Sequence, residues 1–133
     1  MASYQSSCHC GALTLAFKTE KSPAILGCRA CSCDFCTSID AAWTSDPDGC
    51  AQISEGATGA IRRYQFGTKT ADFIQCHHCG GTLAAIDRDK AVLNVRYFDR
   101  ADDFLAIRKA SILSKETVPA RRQRRAEKWT PLT

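Results

Sequence analysis

The sequence predicts a mainly β domain of small antiparallel sheets with a short C-terminal helix, and three observations predict it. Apolar residues recur at every second position in short runs, the period of a half-buried strand. Glycines and turn signals punctuate those runs too closely to leave room for the crossover helices of a βαβ protein. Cysteines gathered at ligand spacing add metal staples between distant parts of the chain. With 133 residues, 44% hydrophobic and 24% charged, the chain is read as one globular domain over 1–133. Its core spans about 4–100 and a helical tail about 117–129.

The elements follow in order. Ser7-Cys8-His9-Cys10-Gly11 is a C-x-C pair with a glycine that lets the backbone turn behind it. Leu13, Leu15 and Phe17 alternate with Ala12, Thr14, Ala16 and Lys18, which predicts a strand, and Lys21-Ser22-Pro23 predicts the turn after it. Ala24–Gly27 reads as a short strand that delivers the cysteine-rich stretch, and Thr37–Trp43 as either a helical turn or another strand. Asp46-Pro47-Asp48-Gly49 is a turn, with Pro setting φ and Gly accepting a positive one. Ile53, Ile61–Phe66, Ala71–Gln75, Thr82–Asp87 and Ala91–Phe98 read as further strands, and the β portion is expected to end there. Phe104–Ile107 is a helical turn or an edge strand, while Val118–Lys128 is a helix with Pro119 in its first turn and Trp129 packing its end back on the domain.

Composition narrows the function classes. Nine cysteines is an odd number, and Met1–Ser6 shows no basic region followed by an apolar one, so a cytoplasmic location is expected. There, clustered cysteines serve as metal ligands rather than disulfide partners. No apolar run approaches the ~18 residues of a membrane span. The net charge of +4 is concentrated at Arg121, Arg122, Arg124 and Arg125. That run is short and lacks interleaved aromatics, so it reads as a solvated helix face rather than a nucleic-acid surface.

Two cysteine groups carry the chemistry. Cys8 and Cys10 supply half of a four-thiolate site, and the C-x-x-C knuckle Cys76-His77-His78-Cys79 supplies the other half, so one zinc would tie segments more than sixty residues apart. Four thiolates fill a tetrahedron, and the role is structural. The second group is Cys28-Arg29-Ala30-Cys31-Ser32-Cys33-Asp34-Phe35-Cys36. Either Cys28 completes a closed site, or Cys31, Cys33 and Cys36 hold a zinc with an open position for a substrate thiol, and the spacing admits both. His9, His77 and His78 are read as solvent-facing or supporting donors, and Cys50 as a free surface thiol.

The order C-H-C-G, C-x-C-x-x-C, C-x-x-C-G, with Arg63-Tyr64-Gln65-Phe66-Gly67 and Thr70-Ala71-Asp72-Phe73 ahead of the last knuckle, resembles the glutathione-dependent formaldehyde-activating enzyme family, which includes centromere protein V. The likeness covers roughly Ser7 to Phe98, and Arg121–Pro131 looks like the tail of some bacterial members. It implies a β-tent-like fold, a structural zinc on Cys8, Cys10, Cys76 and Cys79, and a second, open zinc on Cys31, Cys33 and Cys36. It also implies a carbon-sulfur lyase or synthase reaction that joins or releases formaldehyde and glutathione as S-hydroxymethylglutathione. Arg29, Arg62, Arg63 and Lys69 are then candidates to pair with the glutathione carboxylates, from their nearness in sequence to the motif. The expected partners are a small thiol and an aldehyde, without nucleic acid or membrane. The competing expectation is a zinc-stabilised binding module with a closed second site and no catalysis.

Overall fold

The computed structural model describes residues 2–113 and 115–133. In chain order the elements are β1 (Ala2–Ser7), β2 (Leu13–Thr19), α1 (Pro23–Leu26), β3 (Arg29–Cys31), α2 (Asp34–Ser38), β4 (Trp43–Thr44), β5 (Cys50–Glu55) and β6 (Ile61–Tyr64). They continue with β7 (Asp72–Cys76), β8 (Thr82–Asp87), β9 (Lys90–Asn94), a 3-10 turn at Val95–Tyr97, α3 (Ala101–Leu105), β10 (Lys109–Ser111), α4 (Val118–Lys128) and β11 (Thr130–Pro131). The protein is mainly β, with short antiparallel strands and a short C-terminal helix.

A three-stranded antiparallel sheet, β1-β2-β5, packs on a larger sheet ordered β10-β3-β4-β9-β8-β7-β6, with β11 paired to β9. Leu13, Leu15 and Phe17 project from one face of β2 into the core with at most 1% exposure, as their alternation requires. They meet Ile74, Leu83, Leu93 and Val95, and the rings of Tyr4, Phe17, Phe98 and Phe104 pack 5.2 to 6.1 Å apart.

The larger sheet is covered on both faces, which explains why β8 is buried almost continuously rather than alternately. Ala84, Ala91 and Leu93 enter the main core, whereas Ala85 and Val92 point to the opposite face, where they join Cys36, Ala41, Trp43, Ala71 and Trp129. That second cluster lies under α2 and the end of α4, and it forms the floor of the site described below.

Several sequence expectations change. Ala24–Gly27 is not a strand: a single helical turn follows Ser22, whose carbonyl accepts from the Ile25 and Leu26 N–H groups, with Pro23 at its first position, the place where a missing N–H costs nothing. Thr37–Trp43 divides between the end of α2 and β4, and Phe104 lies in α3. The β portion does not end at Phe98. β10 pairs in parallel with β3, and β11 adds to β9, so the chain beyond 100 completes the larger sheet. Both strands are two or three residues long, too short for a periodic signal, and they form because their partners are already in place. The Asp46–Gly49 turn forms, with Gly49 N–H donating to the Asp46 carbonyl at 3.1 Å, but Gly49 does not take the expected positive φ; glycine is needed there because a Cβ would lie 2.5 Å from the Lys18 carbonyl oxygen. Trp129 is buried at the end of α4, also as expected.

Candidate metal centres and the cavity beside them

The first group is built by two facing turns. Between β1 and β2 the Cys8 N–H donates to the Leu13 carbonyl and the Leu13 N–H to the Cys8 sulfur, at 3.0 and 3.3 Å. Between β7 and β8 the Gly80 N–H returns to the Cys76 carbonyl and the Cys76 N–H donates to the Gly81 carbonyl, both at 2.8 Å. Gly80 takes φ +81°, which permits the tight reversal after Cys79. Gly81 is required for a different reason: a Cβ there would lie 3.2 Å from the Cys8 Cβ and the Tyr97 ring.

These turns bring the sulfurs of Cys8, Cys10, Cys76 and Cys79 within 4.8 Å of one another. Cys10 lies 3.7 Å from Cys8 and 3.6 Å from Cys76. A tetrahedron with metal-sulfur bonds of ~2.3 Å has edges of about 3.8 Å, so the donor set fits a zinc-sized ion. Backbone N–H groups of Cys10 and Gly81 help pull the Cys79 thiol down to about 6, in the direction that makes a thiolate ligand. The side chains of His9, His77 and His78 belong to neither donor group, and all three residues are exposed.

The second group sits at the junction of β3 and α2. Cys31 ends the strand, and Cys33 caps the helix, its sulfur accepting from the Cys36 N–H at 3.4 Å. Cys36 follows one turn later, and the three sulfurs again lie within 4.8 Å of one another. A hydrogen bond from Cys36 brings the Cys31 thiol down to about 5, with support from Cys33 and the nearby Arg124 charge, while Cys36 is driven upward. Three sulfurs this close together form a donor set suited to a metal ion, which binds the thiolate form.

Cys28 does not join it. Its side chain is 3% exposed and packs in the main core, and burial raises its thiol. Alternation along β3 separates them: the residue before the strand turns into the main core, while Cys31 faces the other way. The four-cysteine closed site that the spacing admits is thus not assembled in this structure.

Beside Cys31, Cys33 and Cys36 opens a cavity of about 490 Å³, within the size range of small-molecule sites. Its apolar walls include Trp43, Phe73, Val92 and Trp129, with Phe66 from the loop after β6. Four arginines line it: Arg29 from β3 and Arg121, Arg124 and Arg125 from α4. Sequence reasoning assigned the α4 arginines to solvent, and that expectation is overturned. The Asp87 carboxylate accepts from Arg122 at 2.8 Å and Arg125 at 3.2 Å, and Glu116 accepts from Arg124, which turns this helix face onto the sheet. The signal was present in the arginine spacing at 121, 124 and 125, one helical face.

Of the four cations expected to meet a substrate, Arg29 alone lines this cavity. Arg62 lies on β6 and donates to Gln75, Arg63 pairs with Asp72, and Lys69 occupies a turn at φ +56°. Residues near in sequence to a motif need not share its face of the sheet, and β6 stands at the far edge from β3. Among the described residues no helix is long and apolar enough to cross a membrane.

No family model matches the chain, and no curated protein does. A crystal structure of a Rhodobacter sphaeroides protein from a structural genomics programme is similar, with 27% identity, a TM-score of 0.57, and coverage of 72% of this chain and 88% of that one. The likeness extends the fold to a second protein.

Proposed function

We propose that the protein is a zinc-dependent carbon-sulfur lyase or synthase that joins or releases a small aldehyde and a thiol such as glutathione. The observation that carries this reading is the three-thiol group opening directly into a cavity, in contrast to the four-thiol group that encloses its own centre. A zinc ion held by Cys31, Cys33 and Cys36 would leave one coordination position for a substrate thiol and lower that thiol's pKa.

The remaining chemistry belongs to the chain. Apolar walls at Trp43, Phe73 and Trp129 limit water around the reacting groups, which strengthens the electrostatic interactions inside. In the forward direction the sulfur lone pair forms a C–S bond to the aldehyde carbon, and the carbonyl π pair moves to oxygen. That oxygen then takes the proton the thiol has lost, so the product is a hemithioacetal and no oxidant is needed. Negative charge on the oxygen develops in the field of Arg29 and Arg124.

Calorimetric titration of glutathione into zinc-loaded protein tests the reading, with S-methylglutathione as the ligand that cannot offer a thiolate. Binding of glutathione alone is expected; equal heats from both would refute capture through sulfur. A closed, non-catalytic second site is the weaker reading, because Cys28 packs away from the trio.

A further inference from the structure

The cavity holds more hydrogen-bond donors than the protein satisfies, and their placement bears on which thiol it takes. Arg121 and Arg124 are engaged by Glu116, and Arg125 by Asp87. Arg29 is different: its guanidinium donates to the Ser45 hydroxyl at 3.2 Å and has no carboxylate partner among the described residues. Two buried atoms of lining residues, Ser111 Oγ and Arg125 Nε, have no hydrogen-bond partner among the described residues. Buried polar atoms in native proteins are almost always paired, so such a set asks for an acceptor.

Ser111 lies beside the metal group. β10 pairs with β3 so that Ser111 is level with Cys31, about 4.8 Å away across the strands, and both line the cavity. An acceptor that met Ser111 and Arg29 would therefore be held close to a sulfur bound at the cysteine trio. Aromatic and aliphatic side chains make up much of the remaining wall, with Ser32, Asp34 and Thr68 as its other polar members. Of the acidic groups nearby, Glu116 is committed to arginines and Asp34 lines the cavity only from an exposed position, where a charge pair is weak, so the cavity offers no buried counter-ion to an ammonium group such as the one glutathione carries.

We propose that the preferred thiol is a compact, apolar-bodied mercaptocarboxylate, with its sulfur at Cys31, Cys33 and Cys36 and its carboxylate on Arg29 and Ser111. The inference rests on the thiol-binding reading of the three-cysteine site and narrows the class of thiol.

The test is calorimetry on zinc-loaded full-length protein with the three mercaptobenzoate isomers, benzenethiol, benzoate and glutathione. At least one mercaptobenzoate is expected to bind tenfold or more tighter than both benzenethiol and glutathione. Arg29→Gln and Ser111→Ala should each cut the mercaptobenzoate-to-benzenethiol affinity ratio several-fold, and the serine variant removes only one oxygen from the fold. If benzenethiol and glutathione bind but no isomer is preferred, the carboxylate pocket is refuted while thiol capture stands. If benzoate binds as tightly as every mercaptobenzoate, thiol capture is refuted, and the inference built on it falls too.

Discussion

Asp87 holds the helix that roofs the cavity, and replacing it with Asn isolates that contribution. Its side chain is 3% exposed and accepts from Arg122 and Arg125, whose side chains are 31% and 11% exposed. Arg125 also donates to Thr70 and stacks over Trp129, with its guanidinium 5.1 Å from the ring centroid. The amide of Asp87→Asn keeps the shape and removes the charge, leaving the buried Arg125 cation without its counter-ion. Breaking a buried pair costs about 3–5 kcal/mol, and the lower end applies because Arg122 can return to water. At ~3–5 °C per kcal/mol for a chain of this length, the melting temperature should fall by about 10 °C. Thermal unfolding followed by circular dichroism on zinc-loaded protein measures it. The dependence on pH supplies a second check. Burial works to raise the Asp87 carboxyl, but hydrogen bonds from Arg122 and Arg125 overcome this and hold it below its ordinary value. A carboxyl depressed in the folded state stabilises above its unfolded pKa of ~3.9 and loses that contribution as pH falls through the lower folded value. The gap between native protein and variant should be full at neutral pH and close in acid. A variant melting within about 2 °C of the native protein at neutral pH would refute the account of how α4 is anchored.

Metal content gives a direct reading of the cysteine assignments. Zinc measured by elemental analysis should be two equivalents per chain, falling to one in Cys76→Ser and remaining at two in Cys28→Ser; loss of zinc from the Cys28 variant would contradict its place in the core. Gly81→Ala must displace the Cys8 Cβ or the Tyr97 ring by a few tenths of an ångström, so a loss of about 1–3 kcal/mol is expected, with faster zinc release to a chelator. Unchanged stability and release would show that the knuckle yields freely.

The class of fold and the positions of the two cysteine groups are legible in local sequence pattern, though not the full membership of the second group. Alternation at Leu13, Leu15 and Phe17 specifies a strand face, and the C-x-C and C-x-x-C spacings place sulfurs on turns because both are consequences of local backbone geometry. The remaining features come from contacts between distant segments. Whether Cys28 joins Cys31, Cys33 and Cys36 depends on which face of the sheet each side chain meets, and spacing alone does not say. The α4 arginines reach the cavity because Asp87, some thirty-five residues earlier, draws them down onto the sheet. Ser111 stands beside Cys31 because a three-residue strand, too short to signal itself, pairs in parallel with β3. Each of these outcomes is a long-range contact, and its energy belongs to two distant segments at once, so neither segment records it alone.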